Sequence, residues 1–162
     1  MDNQDREIGV YSDGGCRIHN NVKGNIVSST DKCAYAYRIE IDNQVIHGGK
    51  AMYGKTNNQM ELLGFIAALT RLVDEGLTDT EITAYLDSEY VLKGVQRMSN
   101  WKANGWRKAN KKEIANKDEW ILIDILLQKF SSIKYIWVKG HADSSGNNAV
   151  DELLNQMMDD LE

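Results

Sequence analysis

Four acidic residues lie where an unpaired carboxylate would be costly. Asp13 and Asp87 each close a strand-like apolar run, Glu61 lies near the start of a helical pattern, and Asp151 lies within another. Carboxylates that are brought together repel one another and lose hydration, so such a group needs a compensating positive charge. Hard divalent cations prefer carboxylate oxygens as ligands. The sequence therefore predicts a shared divalent-cation site and a metal-dependent phosphoryl-transfer enzyme.

The composition is that of an ordinary globular domain. The chain has 162 residues, of which 42% are hydrophobic and 27% are charged, and these values are close to the average for folded domains. No run is apolar enough for a membrane span, and residues 1–7 are too polar for a signal peptide, so we expect a cytoplasmic protein. The histidines and cysteines fit no zinc-ligand spacing. In a reducing compartment we expect Cys16 and Cys33 to be free thiols.

The hydrophobic periodicity predicts strands and helices that alternate as in a mixed α/β sheet. Strands are predicted at residues 8–12, 34–41, 44–49, 81–86 and 133–138. Helices are predicted at residues 57–75, 88–98, 117–129 and 147–161. Asn57 or Asn58 can cap the first helix. Because sites in such sheets collect beyond strand ends, we expect the four acids to converge there.

Short motifs surround these acids in a fixed order along the chain. They are Tyr11–Cys16, Thr56–Leu62, Leu86–Val91, Trp101–Trp106, Val138–Ala142 and Asn147–Leu153. Each motif alone is a weak signal, but together and in this order they resemble the type 1 ribonuclease H family over nearly the whole chain. The resemblance implies a ribonuclease H-like α/β fold, in which a five-stranded mixed sheet carries helices on both faces. It also implies a single catalytic domain over residues 1–162.

The function that this resemblance implies is hydrolysis of the RNA strand of RNA/DNA hybrids, with 5′-phosphate and 3′-hydroxyl products. By analogy, two Mg²⁺ ions, or Mn²⁺ in their place, are held by Asp13, Glu61, Asp87 and Asp151 in a two-metal-ion mechanism. His141 resembles a mobile histidine that assists proton transfer or product release, although a loop histidine taken alone is more often an exposed bystander. We expect a monomer whose partner is the hybrid.

A basic stretch at residues 101–117 has two interpretations. It carries six cations against one acid, Glu113, in a chain whose net charge is −5. It is either a solvated surface loop with two buried tryptophans or the basic protrusion by which many family members hold the DNA strand. The second interpretation assigns nucleic-acid contacts to Trp101, Lys102, Trp106, Lys108, Lys111 and Lys112.

Further nucleic-acid contacts are implied by the resemblance alone. Thr56 and Asn116 match residues that bind a DNA phosphate. Asn57, Asn58 and Gln59 match residues that touch the minor groove of the hybrid, where 2′-hydroxyl groups distinguish RNA from DNA. Cys16 matches a position near that groove, whereas on its own it would be interpreted as a packed thiol.

Two loops depart from the family pattern. Residues 17–32 replace the Gly/Pro-rich stretch that usually follows the first acid, and a family asparagine there corresponds to Asn20 or Asn21. In the loop after the last predicted strand, at residues 139–146, Asp143 replaces a common glycine. Asn148 stands where an acid usually precedes Asp151. Asp143 either adds charge near the metals or is a turn residue, and we favour the turn.

Two alternative functions share the predicted fold. A catalytically inactive module that binds RNA/DNA hybrids would have no need for four repelling acids, so retention of these acids and of His141 speaks against it. A transposase or integrase would lack the basic stretch at 101–117 and would normally carry DNA-recognition domains. The sequence therefore favours an active ribonuclease H.

Overall fold

A computed structural model describes residues 6–18, 29–138 and 145–162 of the chain. The strands are β1 (Ile8–Cys16), β2 (Lys32–Ile41), β3 (Gln44–Tyr53), β4 (Ile82–Leu86) and β5 (Ile133–Trp137). The helices are α1 (Asn57–Asp74), α2 (Glu89–Ala103), α3 (Lys117–Leu127) and α4 (Ser145–Asp160). These elements agree in type and order with the sequence prediction.

The strands form one mixed sheet in the order β3-β2-β1-β4-β5. The pairs β1–β2 and β2–β3 are antiparallel, whereas β1–β4 and β4–β5 are parallel. Parallel neighbours need a crossover connection, and α1 and the α2–α3 segment supply the crossovers into β4 and β5. The predicted five-stranded mixed sheet is confirmed.

Alternate residues of β2 enter two different cores. Ile39 and Ile41 pack with α1, whereas Ala34 and Ala36 pack with α4. Because successive residues of a strand point to opposite faces, α1 and α4 lie on opposite sides of the sheet. Helices α2 and α3 share a core with α1, in which Trp120 is 1% exposed. The prediction of helices on both faces is therefore confirmed.

The first strand is longer than its sequence pattern indicates. The parallel ladder between β1 and β4 ends where Ser12 faces Leu86, which is the predicted strand end. The antiparallel ladder with β2 continues to Cys16. Glycines at positions 14 and 15 have low strand propensity and concealed this extension. Asp13 thus lies inside β1, just past its parallel pairing.

The two cysteines form a disulfide, so the prediction of free thiols is wrong. Cys16 faces Cys33 in the β1–β2 register, and their Cα atoms lie 3.9 Å apart. The two residues are 17 positions apart in sequence, and that spacing does not reveal which residues of two paired strands oppose each other. The bond joins the end of β1 to the start of β2.

Thr56, rather than Asn57 or Asn58, caps α1. Its hydroxyl accepts a hydrogen bond from the backbone N–H of Gln59 at 3.0 Å. The side-chain oxygen of Asn57 instead accepts from the backbone N–H of Cys16 at 2.7 Å. This bond ties the start of α1 to the end of β1.

Helix α2 extends beyond its predicted end at residue 98 and reaches Ala103. It therefore takes in Trp101 and Lys102, which the sequence pattern had assigned to the basic stretch. None of the helices in the described ranges combines the length and the apolar character that crossing a bilayer requires.

Strand β1 and helix α1 approach most tightly at Gly14. A Cβ atom added there would lie 2.2 Å from the backbone carbonyl carbon of Met60 and 2.4 Å from the backbone nitrogen of Glu61. Real Cβ atoms do not tolerate such distances to backbone, so this position requires glycine. Because Asp13 precedes Gly14, this contact sets the spacing between two of the predicted metal ligands.

We predict that Gly14→Ala destabilises the fold, because the backbone of α1 has to move away from β1. We expect a loss of about 1–3 kcal/mol in the free energy of unfolding, measured by urea denaturation. Gly15→Ala is the matched control, since its added Cβ would meet Asn57 Oδ1 at an ordinary 3.7 Å. The control should change stability by no more than about 0.5 kcal/mol. Equal losses in both variants would contradict the tight approach.

Candidate active site

Three of the four predicted acidic ligands converge at one end of the parallel strands. Asp13 and Asp87 each follow the last parallel pair of β1 and β4, and Glu61 lies in the second turn of α1 beside Gly14. One carboxylate oxygen from each of the three residues lies within 4.8 Å of the others. All three side chains are half-buried. The fold thus collects charges of the same sign in a partly desolvated place.

Burial, with a smaller contribution from neighbouring charge, shifts the pKa values of two carboxyl groups upward. Burial, reinforced by the charge of Asp87, raises the pKa of Asp13 to about 8, although the N–H of Gly14 donates to Asp13 Oδ1 at 2.8 Å and opposes the shift. Burial also raises the pKa of Glu61 to about 7, with a further increase from Asp87. Without a cation the cluster favours protonation, which is the expected behaviour of repelling acids.

Ser88 orients Glu61, and the sequence did not indicate this contact. The Ser88 hydroxyl donates to Glu61 Oε2 at 2.5 Å, and the hydroxyl oxygen of Ser88 accepts from the N–H of Val91 at 3.2 Å. Ser88 is the N-cap of α2 and is buried. A serine before a helix indicates a cap, but it does not reveal a partner on another helix. Ser88 therefore fixes Glu61 relative to the adjacent Asp87.

The donor set of this cluster fits a hard divalent cation. Ionised carboxylates only accept, and three of them together offer oxygen ligands of the kind that Mg²⁺ and Mn²⁺ bind. Positive charge placed among Asp13, Glu61 and Asp87 would lower the pKa values that burial and repulsion raise. The arrangement can therefore hold a cation at neutral pH at the end of the parallel ladder of β1 and β4.

The remaining predicted catalytic residues lie outside this cluster. Asp151 is exposed on α4, and its charge makes a small contribution to the raised pKa of Asp13. The structure therefore brings Asp151 within electrostatic range of Asp13, and its role as a ligand stays a prediction. His141 and Asp143 belong to residues 139–144, outside the described part of the chain, as do Asn20 and Asn21.

The predicted phosphate and groove residues collect at the starts of α1 and α3. Thr56, Asn57 and Asn58 are exposed at the start of α1. Gln59, in the same turn, donates from its side-chain nitrogen to Glu119 Oε1 at 3.0 Å. Because Glu119 lies in the first turn of α3, this bond holds the two helix starts beside each other.

Asn116 lies immediately before α3, in a left-handed conformation with φ 58°. Its side-chain nitrogen donates to the hydroxyl oxygen of Tyr90 at 3.0 Å, and the indole N–H of Trp120 donates to the same oxygen at 3.3 Å. The Tyr90 hydroxyl therefore links the side chain of Asn116 to the buried indole of Trp120. The contacts of Asn116, Thr56 and the groove residues with nucleic acid stay predictions.

The basic stretch is anchored by its tryptophans. The ring of Trp101 lies edge-on to Trp120, with centroids 5.3 Å apart, and Trp106 packs against the same core. Lys102 makes an ion pair with Asp124 of α3 at 3.1 Å. The two tryptophans thus anchor the basic stretch to the core around α3. This anchoring is compatible both with a solvated surface loop and with a protrusion that holds DNA.

Beyond Trp106 the chain turns back on itself and exposes three lysines. The N–H of Lys108 donates to the carbonyl of Lys112 at 2.8 Å, and the N–H of Lys111 donates to the carbonyl of Lys108 at 2.9 Å. Lys108, Lys111 and Lys112 are all exposed. The turn presents a compact group of positive charge, of the kind that contacts a phosphate backbone.

Comparison with known proteins agrees with this geometry. A profile of the family described as RNase H matches residues 5–159. The ribonuclease H of Francisella philomiragia subsp. philomiragia is 38% identical over 153 residues, which cover 94% of this chain and 91% of the relative.

Solved structures show the same fold. The PFV RNase H domain superposes with a TM-score of 0.74 at 20% identity and covers 94% of each chain. LC11-RNase H1, solved in complex with an RNA/DNA hybrid, superposes with a TM-score of 0.67 at 22% identity, covering 94% of this chain and 97% of its own. Taken with the sequence matches, these findings show that the chain belongs to the RNase H family of endoribonucleases.

Proposed function

We propose that this protein hydrolyses the RNA strand of RNA/DNA hybrids with two Mg²⁺ ions and leaves 5′-phosphate and 3′-hydroxyl ends. The observation that carries the proposal is the half-buried cluster of Asp13, Glu61 and Asp87 in a member of the RNase H family. The complex of LC11-RNase H1 with an RNA/DNA hybrid supports the choice of substrate. Asp151 is proposed as the fourth ligand, and residues 1–162 as one catalytic domain.

In this proposal the chain's own groups hold, orient and desolvate the reacting centre. Asp13, Glu61, Asp87 and Asp151 would hold the cations, and Ser88 keeps one oxygen of Glu61 in a fixed place. When bound, Mg²⁺ supplies charge neutralisation and activates water. His141 is proposed to move a proton during the reaction or product release. A monomeric state, a cytoplasmic location and the use of Mn²⁺ stay predictions.

The second candidate is an inactive module that binds hybrids. The raised pKa values of Asp13 and Glu61 argue against it. Such shifts mean that the fold tolerates desolvation and repulsion of carboxyl groups that a binding surface does not need. Phosphates are also repelled by uncompensated carboxylates, so a pure binder would gain from losing these acids.

The substrate surface that we propose joins two parts of the structure. The exposed residues at the start of α1 lie close to one turn before Glu61, where they would meet the minor groove. Lys108, Lys111 and Lys112, with Trp101, Lys102 and Trp106 behind them, would hold the DNA backbone.

The first prediction concerns the cluster. Asp13→Asn and Asp87→Asn should each lower kcat on an RNA/DNA hybrid by at least about 10³, because each removes a ligand and a negative charge. Direct titration with Mn²⁺ should show weaker cation binding in both variants. Asp74→Asn, at the exposed far end of α1, is the control for loss of one carboxylate and should retain the wild-type rate.

The same assay tests the whole proposal when hybrid, double-stranded RNA and double-stranded DNA are compared with Mg²⁺ or EDTA. Metal-dependent cutting of the hybrid's RNA strand supports it. If the hybrid stays intact with both Mg²⁺ and Mn²⁺, the enzyme proposal fails and the binding module replaces it.

A second prediction follows from the raised pKa of Asp13. A carboxyl group with a pKa near 3.8 in the unfolded chain and about 8 in the fold lowers stability progressively as the pH rises between these two values, because the folded state then holds a proton that the unfolded chain has lost. In EDTA, wild-type stability should therefore fall relative to Asp13→Asn as the pH rises from about 4 to 8. The variant's advantage should reach on the order of 2 kcal/mol at pH 8, or roughly 4–8 °C in Tm. Saturating Mg²⁺ should remove the advantage, and a difference that is constant with pH would refute the prediction.

A third prediction tests the basic turn. Replacing Lys108, Lys111 and Lys112 together with Gln should weaken hybrid binding and reduce the slope of log K against log salt by up to about 2–3. The control replaces Lys50, Lys129 and Lys134, which are exposed elsewhere, and makes the same change in net charge. If both triple variants bind alike, the turn is a solvated loop.

A further inference from the structure

The hydrogen bond between Gln59 and Glu119 crosses from the first turn of α1 to the first turn of α3. Gln59 Nε2 donates to Glu119 Oε1 at 3.0 Å, and both side chains are half-buried. Gln59 lies two residues before Glu61, on the helix that carries part of the cluster. Gln59 therefore lies in sequence between two other proposed groove residues, Asn57 and Asn58, and Glu61 of the cluster.

The chemistry of this pair fixes the orientation of the Gln59 carboxamide. A carboxylate only accepts hydrogen bonds, so the NH₂ end of Gln59 must face Glu119 and the carbonyl Oε1 must turn away from it. The opposite orientation would place two acceptor oxygens against each other. Glu119 thus leaves the carbonyl Oε1 of Gln59, which can only accept hydrogen bonds, for any further partner.

An acceptor at this position discriminates between groups in a minor groove. Purine N3 and pyrimidine O2 are acceptors and cannot bond to it, whereas the 2′-hydroxyl of RNA and the N2 amine of guanine can donate. The 2′-hydroxyl is present at every ribonucleotide and absent from DNA. Recognition through this group is independent of sequence and specific for RNA.

We propose that Glu119 is a positioning residue that presents Gln59 as an acceptor to a 2′-hydroxyl of the RNA strand. The proposal rests on the proposed function, since it assumes that the start of α1 faces the hybrid. Glu119 acts through Gln59 and does not itself touch the substrate. The negative charge of Glu119 would by itself disfavour phosphate at the proposed substrate surface. Its role in orienting the Gln59 carboxamide accounts for an acid at this position.

Asp118 offers a matched control. It is exposed, and it carries the same charge in the same turn of α3. Both acids interact favourably with the positive end of the α3 dipole. Asp118→Asn and Glu119→Gln therefore make the same change in charge and in helix electrostatics, and they differ in the contact with Gln59.

The experiment uses hybrids in which single ribonucleotides carry 2′-fluorine, which removes the donor while retaining an RNA-like sugar. The proteins compared are wild type, Glu119→Gln, Asp118→Asn, Gln59→Ala and the Glu119→Gln/Gln59→Ala double variant. We would measure kcat/KM of each with Mg²⁺. We would measure Kd after adding Asp87→Asn to each of them, so that the hybrid is bound without being cut. Wild type should lose about tenfold in Kd and kcat/KM at one fluorinated position. Glu119→Gln should reduce that loss to about twofold, because a carboxamide in place of the Glu119 carboxylate can donate and lets Gln59 reverse. Asp118→Asn should keep the wild-type profile.

The double variant distinguishes an effect of Glu119 that acts through Gln59 from an effect of Glu119 on hybrid binding that does not need Gln59. In the Gln59→Ala background the fluorine penalty should vanish, and Glu119→Gln should cause no further change at that position. The inference is overturned if Glu119→Gln keeps the wild-type profile, if Asp118→Asn changes it equally, or if no fluorinated position weakens wild-type binding. Should Glu119→Gln fail to fold, judged by Tm, Gln59→Met tests the same contact by removing its polar end while keeping its length.

The failure of this inference is distinguishable from failure of the proposed function. A wild-type protein that cuts no hybrid contradicts the proposed function, and the Kd profile still tests the Gln59–Glu119 pair. An active wild type with a flat fluorine profile contradicts only this inference.

Discussion

The repulsion among three half-buried carboxylates is the constraint on which the rest of the structure depends. Burial raises the pKa of Asp13 to about 8 and that of Glu61 to about 7, and the charge of Asp87 adds to both shifts. The cluster is thus unfavourable in isolation, and the surrounding fold has to hold it together. A bound cation reverses the sign of this interaction, because charges that repel one another all attract it. The fold thus places the three carboxylates where one cation could contact all of them.

Three contacts impose this arrangement, and each comes from backbone geometry or capping. The parallel ladder of β1 and β4 ends at Ser12 and Leu86, so Asp13 and Asp87 are the next residues on two neighbouring strands. The missing side chain at position 14 lets α1 lie against β1. The cap of α2, Ser88, then holds Glu61 through its hydroxyl. The positions of the three acids are therefore set by the sheet and by the starts of two helices.

Sequence reasoning could find elements with strong periodicity and residues whose chemistry is unusual for their place. It identified the order of strands and helices and the three acids of the cluster, since apolar runs and misplaced carboxylates are local signals. It could not find what depends on register or on side chains from distant elements. The Cys16–Cys33 bond follows from strand pairing, the extension of β1 from its neighbour β2, and the Ser88–Glu61 contact from the packing of α2 on α1. Thr56 was missed as the cap because Asn57 and Asn58 offer the same chemistry one and two residues later.

The start of α1 brings the proposed groove residues and an acid of the cluster together within two turns of one helix. Within residues 56–61 the chain places a helix cap, the groove residues that we propose, and an acid of the cluster. Each is held from a different direction: Asn57 by the end of β1, Gln59 by α3, and Glu61 by the cap of α2. A substrate that moved the first turn of α1 would therefore also move Glu61, since a helix transmits displacement along its axis as a rigid element. The proposed groove residues and Glu61 therefore share one stretch of helix and the three contacts that fix it.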